Sequence, residues 1–125
     1  MYTDLLTRLK NAQAVKKSTV KVPFSKMDLE IVKVLNAYNF IKSYRKIGRL
    51  PKRWIEVELN LDGPDKINGV RFKSRPSRWL YFGYRDIFPV KQGYGLGVFS
   101  TPEGILSDKD ARKQKVGGIY LFEIW

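Results

Sequence analysis

FSTPEGILSDKDARKQKVGGIYLFEIW, residues 99–125, is the stretch that decides the reading. It opens as the end of a strand, Tyr94 to Thr101. It then turns through Ser100-Thr101-Pro102-Glu103-Gly104, where two small hydroxyl residues precede a proline and a glycine. Ser107 caps a short helix over about Asp108 to Lys113, with Asp110 completing a Ser-x-x-acid box. Ile119 to Trp125 closes the chain as a strand. Short hydroxyl side chains lose little entropy on being fixed. They also donate to and accept from base edges or 2′-hydroxyls.

Moving toward the N-terminus, the second half stays β-rich. Ile67 to Phe72 and Trp79 to Tyr84 read as strands around the loop Lys73-Ser74-Arg75-Pro76-Ser77-Arg78. That loop holds three cations and two hydroxyls, the groups that supply most phosphate contacts. Trp79 and Tyr81 follow at strand spacing, and read either as core or as stacking platforms for a base. Asp62-Gly63-Pro64-Asp65 is the clearest turn signal and divides residues 1–63 from 64–125. It is too short for a flexible linker, so the two parts should pack together.

The first half alternates helix and strand. Leu5, Leu9 and Ala12 share one face of a helix over 4–15. Thr19 to Val22 is a β-branched strand ended by Pro23. Ser25 with Asp28 caps a second helix, running to about Asn39, with Met27, Ile31, Val34, Leu35 and Tyr38 as its core face. Phe40 to Ile47 reads as a strand, then a basic loop over 48–53. Ile55, Val57, Leu59 and Leu61 alternate with Glu56, Glu58 and Asn60 in a half-buried strand. The whole is an α+β chain: an N-terminal α/β subdomain (helix-strand-helix-strand-strand) packed on a C-terminal β-rich subdomain with a short helix.

Composition narrows the function. Twenty-four Lys+Arg against 12 Asp+Glu leave a net charge of +12 on 125 residues. Residues 1–62 hold 13 basic and 6 acidic residues, and residues 63–125 hold 11 and 6. Both halves therefore carry the excess, and a polyanion is the expected partner. Neither Cys nor His occurs, which excludes disulfides, thiolate chemistry, His acid–base work and ordinary zinc sites. Gly93, Gly95 and Gly97 are followed by Val98 and Phe99 in a strand rather than by a helix, so they mark close backbone approach and not a dinucleotide cradle. Glu56 and Glu58 read as solvent-side alternation, and Asp108 and Asp110 as acids favoured in a helix's first turn. No catalytic site, metal or cofactor is expected. No apolar run approaches the roughly 18 residues of a membrane span, and the first residues lack the order of a signal peptide. A basic adaptor for an acidic protein is the rival reading.

The segment from Phe99 to Lys113, with Val116-Gly-Gly and the final Trp125, resembles the end of the bacterial-type ribosomal protein S-eight family. Asp4-Leu-Leu-Thr-Arg-Leu-Lys-Asn-Ala resembles its opening helix, and Val20-Lys-Val-Pro-Phe-Ser-Lys and Asn39-Phe-Ile match in order. The resemblance implies a structural constituent of the small ribosomal subunit. It implies a primary binder of small-subunit ribosomal RNA in the central domain, beside neighbouring ribosomal proteins, and often a binder of its own operon's messenger RNA. It implies no membrane, and a ribosome of the cytoplasm or of an organelle. Carried over by matching position, the expected RNA-contacting residues are Ser100, Thr101, Gly104, Gly117 and Gly118; Lys73, Ser74 and Arg75; and Thr7, Arg8 and Asn11. Two positions depart from the family pattern. Pro102 stands where a third hydroxyl is usual, and Ile119 where an acid usually follows the two glycines.

Overall fold

A computed structural model describes residues 2–49, 52–60, 67–74, 77–87 and 95–125. By its contacts the chain divides into two units, Met1–Asn68 and Gly69–Trp125. The turn at 62–65 lies outside the described residues.

The first unit contains helix α1 (Tyr2–Ala14), strand β1 (Thr19–Pro23), helix α2 (Lys26–Ala37) and the antiparallel strands β2 (Ser43–Arg49) and β3 (Lys52–Glu58). Its sheet has the order β1-β3-β2. Helix α1 forms because Leu5, Leu6, Leu9 and Ala12 recur on one buried face. Helix α2 starts where the sequence places it: the Ser25 hydroxyl accepts the Asp28 backbone N–H at 3.0 Å. It is followed by Asn39 at φ 65, a left-handed conformation that Asn tolerates.

The buried stripe of α2 differs from the expected one. It comprises Asp28, Ile31, Val32 and Leu35, whereas Met27, Val34 and Tyr38 are half-buried. Both stripes satisfy helical spacing. Packing against β2 and α1 selects the one that puts Val32 at 0% exposure. Val20, Val22, Ile55 and Val57 fill the helix side of the sheet. The expected strand from Phe40 begins later, at Ser43. The expected basic loop is mostly strand, since Gly48 pairs with Arg53 and Arg49 with Lys52; residues 50 and 51 lie outside the described residues.

The second unit is built on β8 (Gly118–Ile124), flanked by β6 (Leu96–Thr101) and then β7 (Gly104–Ser107) on one side. On the other side β4 (Val70–Phe72) and β5 (Tyr81–Phe82) each pair with one end of β8. All these pairings are antiparallel. Two strands sharing seven residues of one edge must be short, so the expected strands over 67–72 and 79–84 shrink. Tyr84–Asp86 becomes a 3₁₀ turn. Strand β7 was hidden in a segment that reads as turn and cap.

Helix α3 (Asp108–Gln114) starts at Ser107, whose hydroxyl accepts the Asp110 N–H at 3.1 Å. One face of the sheet buries Phe99, Tyr120, Ile87 and Ala111, with Phe82 and Leu106 packed against them. Phe99 and Tyr120 stack at 4.2 Å between ring centroids. The glycine reading holds at Gly97, where an added Cβ would lie 3.0 Å from the Tyr120 hydroxyl. No helix among the described residues is long and apolar enough to cross a membrane.

Candidate nucleic-acid interface

The β6–β7 hairpin carries the hydroxyl pair. Thr101 pairs with Gly104 in the ladder, leaving Pro102 and Glu103 at the exposed tip. The Thr101 hydroxyl donates to the Gly104 carbonyl at 2.8 Å and accepts the Glu103 N–H at 3.1 Å. Gly104 sits at φ +109, a conformation that L side chains rarely adopt. The turn is thus locked by Thr101 and made possible by Gly104. Among the described residues, nothing is hydrogen-bonded to the Ser100 hydroxyl, which is half-buried.

Register explains what surrounds Ser100. Directly opposed residues in a sheet share a face. Ser100 opposes Ile105 on β7 and Ile119 on β8, and Ile119 opposes Tyr81 on β5. Tyr81, Ile119, Ser100 and Ile105 therefore form one row, on the face away from the Phe99–Tyr120 core. Tyr81 is 72% exposed. The acid usual in the family at Ile119 would fall in the middle of this row; here the row is apolar except for Ser100 and the Tyr81 hydroxyl.

Gly117 and Gly118 shape the same place. A Cβ on Gly118 would collide with the Ser100 carbonyl, and one on Gly117 would lie 2.9 Å from Gly83 Cα and 3.2 Å from the Tyr81 hydroxyl. These glycines let β5, β8 and β6 come together at the site. Thus Ser100, Thr101, Gly104, Gly117 and Gly118 form one cluster. Tyr81, first read as either core or platform, joins them as an exposed ring.

The loop after β4 is organised from inside. Ser74 is fully buried. Its hydroxyl donates to the Tyr120 carbonyl and accepts the Leu80 N–H at 2.9 Å. The Lys73 ammonium lies 3.4 Å from Glu123 and 5.7 Å from the centre of the Tyr120 ring. The Tyr120 hydroxyl donates to the same Glu123 oxygen at 2.8 Å. Burial, and then Glu123, push the Tyr120 phenol well above its ordinary value. Direct RNA contact was expected of Lys73 and Ser74, but the structure engages both within the fold. Arg75 lies outside the described residues. Ser77, Arg78 and Trp79 are the exposed groups of this loop.

Thr7, Arg8 and Asn11 form a second set, on the exposed side of α1. The Thr7 hydroxyl donates to the Thr3 carbonyl at 2.7 Å. Arg8 pairs with Asp4 at 3.2 Å and reaches the Lys21 carbonyl at 3.4 Å. Arg8 and Asn11 line a groove of about 750 Å³ with Val15, Lys17 and Lys21. Composition could not reveal two buried carboxylates, Asp28 and Asp108. Burial raises the pKa of each. Asp108 accepts the Gly97 N–H at 3.3 Å.

The comparisons with known proteins agree with this geometry. The family model described as ribosomal protein S8 matches residues 1–125. The small ribosomal subunit protein uS8 of Thermus aquaticus is 38% identical over 131 residues, covering 98% of this chain and 95% of the relative. The same protein of Rubrobacter xylanophilus is 40% identical over 117 residues, covering 92% and 89%. That of Rhodopseudomonas palustris is 39% identical over 126 residues, covering 98% and 95%. Matched from end to end, the chain belongs to the ribosomal protein S8 family.

Proposed function

We propose that this small-subunit ribosomal protein binds small-subunit ribosomal RNA directly, as a structural and assembly element of the central domain. The observation that carries the reading is the unengaged Ser100 hydroxyl, held in a row with exposed Tyr81 on a chain of net charge +12. Ser100 donates to and accepts from a base edge or 2′-hydroxyl, while Thr101, whose proton is used in its own turn, acts as an acceptor. Gly104, Gly117 and Gly118 bring RNA close to the backbone. Arg75, with Arg78 beside it, meets phosphates, and Lys73 and Ser74 hold that loop in place. Thr7, Arg8 and Asn11 on α1 make a second phosphate contact. RNA shape carries the specificity, because the A-form major groove is too narrow to be read. In this proposal residues 1–63 and 64–125 are the two subdomains. Neighbouring small-subunit proteins are further partners, and a messenger RNA folded like the ribosomal site would occupy the same surface.

Filter binding of a hairpin from the source organism's small-subunit RNA tests the proposal. Affinity should fall with salt by a log–log slope of about −0.7 to −0.9 for each neutralised phosphate. Replacing Ser100 and Thr101 together by Ala should weaken the hairpin by about 1 kcal/mol for each lost hydrogen bond. A flat salt dependence, or unchanged affinity of the double variant, would overturn it.

A further inference from the structure

On a chain of net charge +12, one face cancels its own charge. Register places three rows across β1, β3 and β2 on the outer side of the N-terminal sheet. They are Thr19–Glu58–Ser43, Lys21–Glu56–Arg45 and Pro23–Trp54–Ile47. Arg45 grips one oxygen of Glu56 through two nitrogens, each at 2.9 Å. Glu58 accepts the Ser43 hydroxyl at 3.1 Å and pairs with Lys42 at 3.5 Å. A phosphate approaching this face meets two carboxylates and cations already engaged by them. Two other cations of the hairpin lie in rows of the opposite side, where Lys46 and Arg53 stand 5.9 and 5.8 Å from the Phe24 ring centre.

The third row is apolar. Trp54 is 39% exposed, between exposed Pro23 and half-buried Ile47. Beside the row is a pit of about 330 Å³ whose lining includes both glutamates, Thr19 and Ser43. An accessible indole with a polar, satisfied rim is the anatomy of a protein interface core. The carboxylates give the face its sign, since opposite potentials steer and select partners.

We infer that the outer face of the N-terminal sheet docks a basic protein, which lays an apolar side chain on Trp54 and directs a Lys or Arg into the Glu56–Glu58 pit. Lys42, 64% exposed and 3.5 Å from Glu58, is the counter-ion that such a side chain displaces. A guanidinium makes the better partner because its planar fork can hold a carboxylate through two bonds. The inference rests on the protein working within the small subunit, and not on which RNA it binds.

Photo-crosslinking tests it. Full-length protein with Trp54→p-benzoylphenylalanine is assembled into small subunits and irradiated, and the products are identified by mass spectrometry. The expected product joins residue 54 to another small-subunit protein, at a peptide carrying Lys or Arg. A crosslink to ribosomal RNA, to an acidic peptide, or to nothing in subunits that contain the variant would overturn the inference. Adding Glu56→Gln and Glu58→Gln should lower that crosslink about ten-fold, as loss of a charge-assisted contact implies; an unchanged yield would refute the role of the pit. RNA hairpin affinity, measured on the same variants, should equal the parent's, which also reports that they fold. Weak RNA binding by the parent itself would count against the RNA proposal alone.

Discussion

The Thr101 hydroxyl donates to the Gly104 carbonyl at 2.8 Å across the β6–β7 turn, and this bond separates two neighbouring hydroxyls into different roles. Thr101 holds the turn; Ser100 faces outward. Thr101→Ala should therefore cost about 1 kcal/mol of folding stability through the lost turn bonds. Ser100→Ala should leave the unfolding midpoint in place while weakening the RNA hairpin about five-fold, the equivalent of one neutral hydrogen bond. Urea unfolding and hairpin titration of the two single variants check the division. A Ser100→Ala protein that unfolds early would show the assignment to be reversed.

Two glycines of the site should fail for different reasons. At Gly118 the obstacle is steric, because an added methyl would collide with the Ser100 carbonyl and sit 2.9 Å from Thr101 Cγ2. Gly118→Ala should cost roughly 3 kcal/mol, the upper end of overpacking. At Gly104 nothing lies within 4 Å of the added Cβ, but φ is +109. Gly104→Ala should cost about 1 kcal/mol, the smaller penalty of a backbone forced toward the left-handed region. Thermal unfolding should rank Gly118→Ala below Gly104→Ala, and the opposite order would refute the close approach of β8 to β6.

Why these features were partly legible follows from where the information lies. Ser25 and Ser107 announce their helices because a cap is a contact between residues three apart, and Leu5, Leu9 and Ala12 betray a helix through local spacing alone. Strands β4 and β5 were read too long because their limit is set by β8, some 40 residues away in sequence. The choice between Val32 and Val34 on α2 was equally nonlocal. The hydroxyl turn was visible as composition, yet its division into a locking Thr101 and an outward Ser100 depends on pairing with Gly104 and Ile119. Ser74 misled for the same reason. A serine among cations reads as a surface phosphate ligand until strand pairing brings Tyr120 and Leu80 to its hydroxyl.

That serine gives a sharp test of support against contact. Ser74→Ala removes a buried donor and acceptor at once, leaving the Leu80 N–H without its hydroxyl partner. Stability should fall by roughly 2–3 kcal/mol, the cost of buried polar groups losing their partners. Lys73→Ala, in a partly exposed pair with Glu123, should cost about 1 kcal/mol or less. At a temperature where it is folded, Ser74→Ala should bind the hairpin as tightly as the parent. A loss of affinity without a loss of stability would restore Ser74 as a direct contact.

Acid should favour the second unit's helix junction rather than weaken it. Burial raises the Asp108 carboxyl above its ordinary range, against the opposing pull of the Gly97 N–H and of Arg112. A group whose pKa is higher folded than unfolded binds its proton more tightly in the fold. Its contribution to stability is therefore fully present below the unfolded value of about 3.9, and is lost as pH rises through the folded value. Asp108→Asn keeps a carbonyl to accept the Gly97 N–H and removes the buried charge. The variant should melt above the parent at pH 7, and the two curves should converge near about pH 3, where the parent's carboxyl is protonated in both states. Melting temperatures across that range give the answer. An advantage that widens on acidification would mean that the charged form is the stabilised one, with Arg112 outweighing burial.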